Sequence, residues 1–136
     1  MNRALGIDLG DARVGVSVTD DIGMLAHPLE TIQVKSGRVI QRVAALAKDR
    51  QAATVVVGMP RNMDGTFGPA AEKAREFIEA LKLACPCQVV PWDERLSTVA
   101  AQRSLQEAGR KARDHRAVID QVAAQIILQS WLDSQA

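Results

Sequence analysis

Gly6-Ile7-Asp8-Leu9-Gly10 is followed closely by Val14-Gly15-Val16-Ser17-Val18-Thr19, two stretches in which apolar and small residues alternate. Side chains of a strand alternate between faces, so the pair predicts a β-hairpin. Leu5, Ile7, Leu9, Val14, Val16 and Val18 then share its apolar face. Gly6, Asp8, Gly10, Gly15, Ser17 and Thr19 occupy the other. One carboxylate therefore projects from a surface of glycine and small hydroxyl residues. Such a surface is expected to leave room for a metal ion, a phosphate or a nucleic-acid backbone, and core packing alone is not expected to call for it. The plainer alternative is a tight hairpin carrying an ordinary surface aspartate.

Outward from the hairpin, a third apolar stretch near residues 24–34 reads as a strand broken at His27-Pro28. Ser36 is placed to cap a helix with the stripe Val39, Ile40, Val43, Leu46 and Ala47. Thr54-Val55-Val56-Val57 has the continuous apolar character of a strand covered on both faces. A polar, glycine-rich loop spans 58–68, and Pro69 opens a helix at a position that tolerates proline. Ala70, Ala74, Phe77, Ile78 and Leu81 are its expected buried side. Gln88 to Trp92 is a further strand. Ser97 or Thr98 caps a helix ending at Gly109, and a last helix covers about 115–133 with Val118, Ile119, Val122, Ile126 and Ile127 inward. Hairpin strands followed by strand–helix–strand–helix predict an α/β fold, a mixed sheet with helices on its faces.

The chain has 136 residues, enough for one domain with a hydrophobic core. A charged fraction of 24% against 47% hydrophobic argues for a globular protein and against a disordered one. No apolar run is long enough for a bilayer span, and the N-terminus enters a strand without a secretory pattern. The cytoplasm is the expected location, with no membrane partner. A net charge of +1 excludes a globally basic nucleic-acid binder. The local patch that remains is Arg103, Arg110, Lys111, Arg113 and Arg116, whose plainer reading is a solvated charged face. Cys85 and Cys87, separated by Pro86, match neither a redox C-x-x-C pair nor a zinc site and read as packing residues at a helix-to-strand turn.

Three acids stand out. Asp8 lies mid-strand on the small-residue face. Glu94 follows the carboxyl end of a strand, where open α/β sheets place ligands. Asp120 interrupts an apolar helix flanked by Ala117, Ala123 and Ala124; its plainer reading is an ion pair with Arg116. Carboxylates gathered from distant parts of a chain suit hard divalent cations. Two such ions activate water and stabilise a leaving phosphodiester oxygen. A chain with two histidines and no nucleophilic triad fits that chemistry.

Four blocks resemble the motifs of the YqgF family, also called RuvX. They are Gly6 to Gly10, Val57 to Gly65, Asp93 to Thr98 and Ile119 to Leu128, in order along almost the whole chain. The resemblance implies a ribonuclease H-like fold over residues 1–136, with five strands in a mixed sheet flanked by helices. It implies a Mg²⁺- or Mn²⁺-dependent nuclease whose acids fall on Asp8, Glu94 and Asp120. Members are described as nucleases maturing the 5′ end of pre-16S rRNA and as Holliday junction resolvases. The equivalent of a fourth acid is open among Asp93, Asp114 and Asp64.

The expected partner is nucleic acid: structured RNA first, branched DNA second. Arg61 and Asn62 in the 58–68 loop, Arg95 beside Glu94, and the basic Arg110, Lys111, Arg113 and Arg116 are its candidate contacts. Competing readings are a non-catalytic RNA-binding assembly factor and a kinase-like nucleotide hydrolase, the latter disfavoured because its grip needs two domains. Few aromatic residues argue against a single-strand binding module. The protein is expected to be a monomer or a homodimer.

Overall fold

The structure, a computed structural model, describes residues 3–60, 66–94 and 116–135, with side chains of the last segment described from Asp120 onward. Strands β1 (Arg3–Leu9), β2 (Arg13–Thr19) and β3 (Ala26–Gln33) precede helix α1 (Val39–Asp49). Strand β4 (Ala52–Met59), helix α2 (Pro69–Ala84), strand β5 (Gln88–Asp93) and helix α3 (Arg116–Ser134) follow. The five strands form one sheet in the order β3-β2-β1-β4-β5. The hairpin strands pair antiparallel and β4 pairs parallel with both β1 and β5, which gives the expected mixed sheet.

The hairpin register follows from the alternation. Leu5 faces Val18, Ile7 faces Val16, and Leu9 faces Val14, while Gly6 pairs with Ser17 and Asp8 with Gly15. The apolar set packs against α1 and α2, joined by Val55 and Val57 of β4 and by Val43, Leu46, Ala74, Ile78 and Leu81. Val56 faces the opposite way, into a smaller cluster with Ala4, Ala26, Ile127 and Leu128 under α3. The continuous valine run is thus explained: β4 is buried on both faces.

Several local expectations are corrected. Ser36 ends a short 3₁₀ turn, and its hydroxyl accepts from the Arg38 N–H at 3.2 Å, so it shapes the turn before α1 and is not the N-cap. In α2, Ala71 is buried and Ala70 is exposed, because the stripe begins one residue later than its spacing suggests. Among the described side chains of α3 the inward face is Ala124, Ile127 and Leu128, and Val122 and Ile126 are only partly covered; the side chains of Val118 and Ile119 lie outside the described residues. Cys85 and Cys87 do sit at a helix-to-strand turn, but their sulfurs are bonded to each other, the Cα atoms being 5.4 Å apart, within disulfide reach.

Pro28 lies inside β3 without ending it. The ladder shifts register between Val16 and Ser17, opposite the proline, as an edge strand allows. At the start of β3, the Ala26 N–H donates to the Gln129 side chain at 2.9 Å, and the Gln125 amide donates to the Ala26 carbonyl at 3.0 Å. The expected helix between Ser97 and Gly109 lies outside the described residues.

Candidate active site

At Gly6, Gly15 and Ser17 the small-residue face of the hairpin is the seat of α3, so that part of it, contrary to expectation, is not open for a ligand. A Cβ on Gly6 would lie 2.7 Å from Leu128 Cβ and 2.8 Å from the Ala124 carbonyl oxygen. A Cβ on Gly15 would collide with the backbone carbonyl of Asp120. The buried Ser17 hydroxyl donates to the Ala124 carbonyl at 2.7 Å. Gln121 donates from its side-chain amide to the Thr31 hydroxyl at 3.1 Å. Helix packing, then, does call for glycine and serine here: only small residues let the helix backbone come this close.

That close approach has a chemical consequence. Gly15 is the cross-strand partner of Asp8, and the backbone of Asp120 rests on it. Asp8 and Asp120 are thereby brought together from positions over a hundred residues apart. From the other side, β5 delivers Glu94 just beyond its last residue, over Gly58 of β4. All three acids are partly buried.

The electrostatics show which carboxylates share an environment. Burial pushes Asp8 up from its ordinary 3.8 to about 6, with the charge of Asp120 as the second cause. Burial likewise pushes Glu94 from 4.5 to about 7, with Asp8 second and Asp93 third. Asp8 is the common member, repelled by both neighbours. Asp120 carries its own counter-charge, since the Arg13 Nε–H donates to its Oδ2 at 2.7 Å.

The donors are all carboxylate oxygens, the set preferred by a hard cation such as Mg²⁺ or Mn²⁺. A divalent ion beside Asp8 and Glu94 would offset the burial that chiefly raises both groups, together with the repulsion that adds to it. As the side chains lie, no group of three or more Asp, Glu, His or Cys among the described residues is placed to hold a metal ion. The donor chemistry fits, with Asp120 adjoining Asp8 while held by Arg13.

Asp93, a candidate fourth acid, lines a groove of about 550 Å³ with Met59, Phe67, Arg75, Ile78 and Lys82. Arg61, Asn62, Arg95, Arg110, Lys111 and Arg113 lie outside the described residues, as do Asp64 and Asp114. Arg116 begins α3, but its side chain lies outside the described residues; the described partner of Asp120 is Arg13. Sequence reasoning missed Arg13. The available signal is positional: Arg13 stands two residues before Gly15, on the same face of β2.

Among the described residues no helix is long and apolar enough to cross a membrane. A protein of Mycobacterium bovis (strain BCG / Pasteur 1173P2), named "Putative pre-16S rRNA nuclease", is 50% identical over 135 residues, covering 98% of this chain and 79% of its own. A relative of the same name in Mycobacterium sp. (strain KMS) is 50% identical over 136 residues, covering 98% of this chain and 80% of its own. Among solved structures, Thermus thermophilus RuvC in complex with Holliday junction substrate superposes with a TM-score of 0.66 at 16% identity, over 100% of this chain and 98% of that one. A second Thermus thermophilus RuvC structure gives 0.63 at 16% identity, over 98% and 96%. The fold is ribonuclease H-like. Residues 2–134 match the family model described as "RuvX: Holliday junction resolvase". The chain belongs to the RuvX family.

Proposed function

We propose that this chain is a single ribonuclease H-like nuclease domain that hydrolyses phosphodiester bonds with Mg²⁺ or Mn²⁺. Its proposed task is 5′-end processing of pre-16S rRNA in the cytoplasm. The observation that carries the reading is the shared environment of Asp8 with Glu94 and with Asp120, three carboxylates delivered by β1, by the end of β5 and by α3. The 50% identity to relatives named for pre-16S rRNA supports the substrate class.

Asp8, Glu94 and Asp120 would hold the ion. When bound, it supplies Lewis-acid stabilisation of the phosphate and makes a coordinated water acidic enough to act as nucleophile. The protein's own part is to keep Asp8 and Glu94 together in a partly dry cleft, where they strongly favour a cation. Arg61, Asn62, Arg95, Arg110, Lys111, Arg113 and Arg116 are proposed to contact the substrate backbone, which fixes register and carries little sequence information.

The test is cleavage of end-labelled precursor rRNA beside a four-way DNA junction, with wild type and Asp8→Asn, in Mg²⁺ and in Mn²⁺. Metal-dependent RNA products that vanish in a folded Asp8→Asn variant are expected. Undiminished cleavage by that variant removes the reading. Junction resolution is the second reading, favoured by the family description and by the likeness to RuvC. It predicts symmetric DNA cleavage and a dimer.

A further inference from the structure

Resting on the reading of Asp120 as an ion-holding residue, we propose that Arg13 is its positioning residue, fixing Asp120 through one carboxylate oxygen and leaving the other for a divalent ion. The geometry of the contact carries the inference. Arg13 uses Nε alone, at 2.7 Å from Oδ2. Among the described residues no hydrogen bond reaches Oδ1 of Asp120, and Arg13 makes no second hydrogen bond to that carboxylate.

A structural arginine on the far side of the same sheet behaves differently. Arg42 grips Glu30 with a two-point fork, Nε to Oε2 at 2.7 Å and Nη2 to Oε1 at 2.6 Å. That arrangement consumes both oxygens, as is usual for a closed arginine–carboxylate pair. Arg3–Asp21 and Arg75–Glu72 are also single-point pairs, but both lie exposed at the surface. Among the described arginine–carboxylate pairs the Arg13 contact is the partly buried one that keeps an oxygen available.

Position supports the same assignment. Arg13, Gly15 and Ser17 alternate onto the face of β2 that receives α3, so the arginine reaches Asp120 along the surface on which the helix is seated. Its side chain is 29% exposed and that of Asp120 is 20%, so water screens the contact weakly. Asp120 stands near the first described turns of α3, where the sheet contacts that hold it are those of Gly15, Gln121 and Arg13. Removing the guanidinium frees the carboxylate to rotate and leaves Asp8 facing an unneutralised neighbour. Partners that orient ligating carboxylates typically govern metal affinity by about 10- to 100-fold.

The experiment is calorimetric titration of metal-free protein with Mn²⁺ alone at pH 8, for wild type, Arg13→Ala, Arg13→Met, Arg13→Gln and Arg42→Ala. Melting temperatures and steady-state cleavage are followed in parallel. Arg13→Ala is expected to weaken Mn²⁺ binding about 10- to 100-fold and to lower kcat with KM for the nucleic acid little changed. Arg42→Ala, which breaks an ion pair of equal length, is expected to leave Mn²⁺ affinity within about twofold, because that pair does not face the acids. Unchanged or tighter Mn²⁺ binding by folded Arg13→Ala overturns the assignment. Should Arg13→Ala not fold, Arg13→Met, which keeps the stem and removes every donor, decides on the same criterion, while Arg13→Gln, whose amide nitrogen can take the place of Nε, is expected to retain most of the affinity. A wild type that binds no Mn²⁺ removes the metal reading itself, whereas a wild type that binds with Arg13→Ala and Arg13→Met unaffected removes the role of Arg13 only.

Discussion

The Cβ that Gly58 lacks would stand 2.5 Å from Oε1 of Glu94 and 2.6 Å from Ile127 Cδ1. Both obstacles are ends of side chains, so an alanine is accommodated by moving them. The carboxylate is the group displaced. Gly58→Ala is therefore expected to fold, to melt slightly lower, and to lose about 10- to 100-fold in kcat through misplacement of Glu94. Paired melting and cleavage measurements check this; full activity would show that Glu94 has another place to go.

Gly15→Ala meets a different obstacle. Its Cβ would enter the backbone carbonyl of Asp120, which cannot rotate away. The helix start must lift from the sheet. A loss of about 2 kcal/mol or more in chemical denaturation is expected, in the range of overpacked cores, with cleavage reduced further than stability explains.

Ser17→Ala isolates the hydrogen bond of that seat. The buried hydroxyl bound to the Ala124 carbonyl at 2.7 Å is lost while the volume stays small. Destabilisation of about 1–2 kcal/mol is expected. An unchanged denaturation midpoint would mean that the carbonyl finds another donor.

Asp8 and Glu94 ionise in the folded protein at about 6 and about 7, above 3.8 and 4.5. An acid raised on folding favours the folded state while protonated. Its contribution is complete below the unfolded value and is lost as pH rises through the folded one. The melting temperature of metal-free protein should therefore fall between about pH 4 and about pH 7 and level off above, and Mg²⁺ should restore it at pH 8. Each unit of displacement is worth about 1.4 kcal/mol, reduced by the solvent that still reaches both groups. Asp8→Asn, which mimics the neutral form, should flatten the lower part of the profile. Calorimetric scans in chelator and in Mg²⁺ decide it, and a profile rising from about pH 4 to about pH 7 would contradict the burial of these acids.

Much of the architecture was legible because period-two alternation leaves little choice. Leu5, Ile7 and Leu9 against Val14, Val16 and Val18 fixes both pairing and face. The valines of β4 announce a strand covered twice. The three acids were legible as candidates since each interrupts a local pattern. The purpose of Gly6 and Gly15 was not, because a small residue in a strand signals a close approach without saying what approaches. Helix α3 was the answer, and it lies more than a hundred residues away. Arg13 escaped for the same reason: its partner belongs to that helix. Ala70 against Ala71 shows the lesser limit of helical spacing among alanines, where one register looks much like the next.

A strand bordering solvent invites another chain to extend the sheet. At the start of β3 that invitation is withdrawn. Pro28 has no amide hydrogen to offer, and the carboxamides of Gln125 and Gln129 already occupy the main-chain groups of Ala26. An intermolecular ladder running the full length of that border is thereby discouraged at its Ala26–Pro28 end.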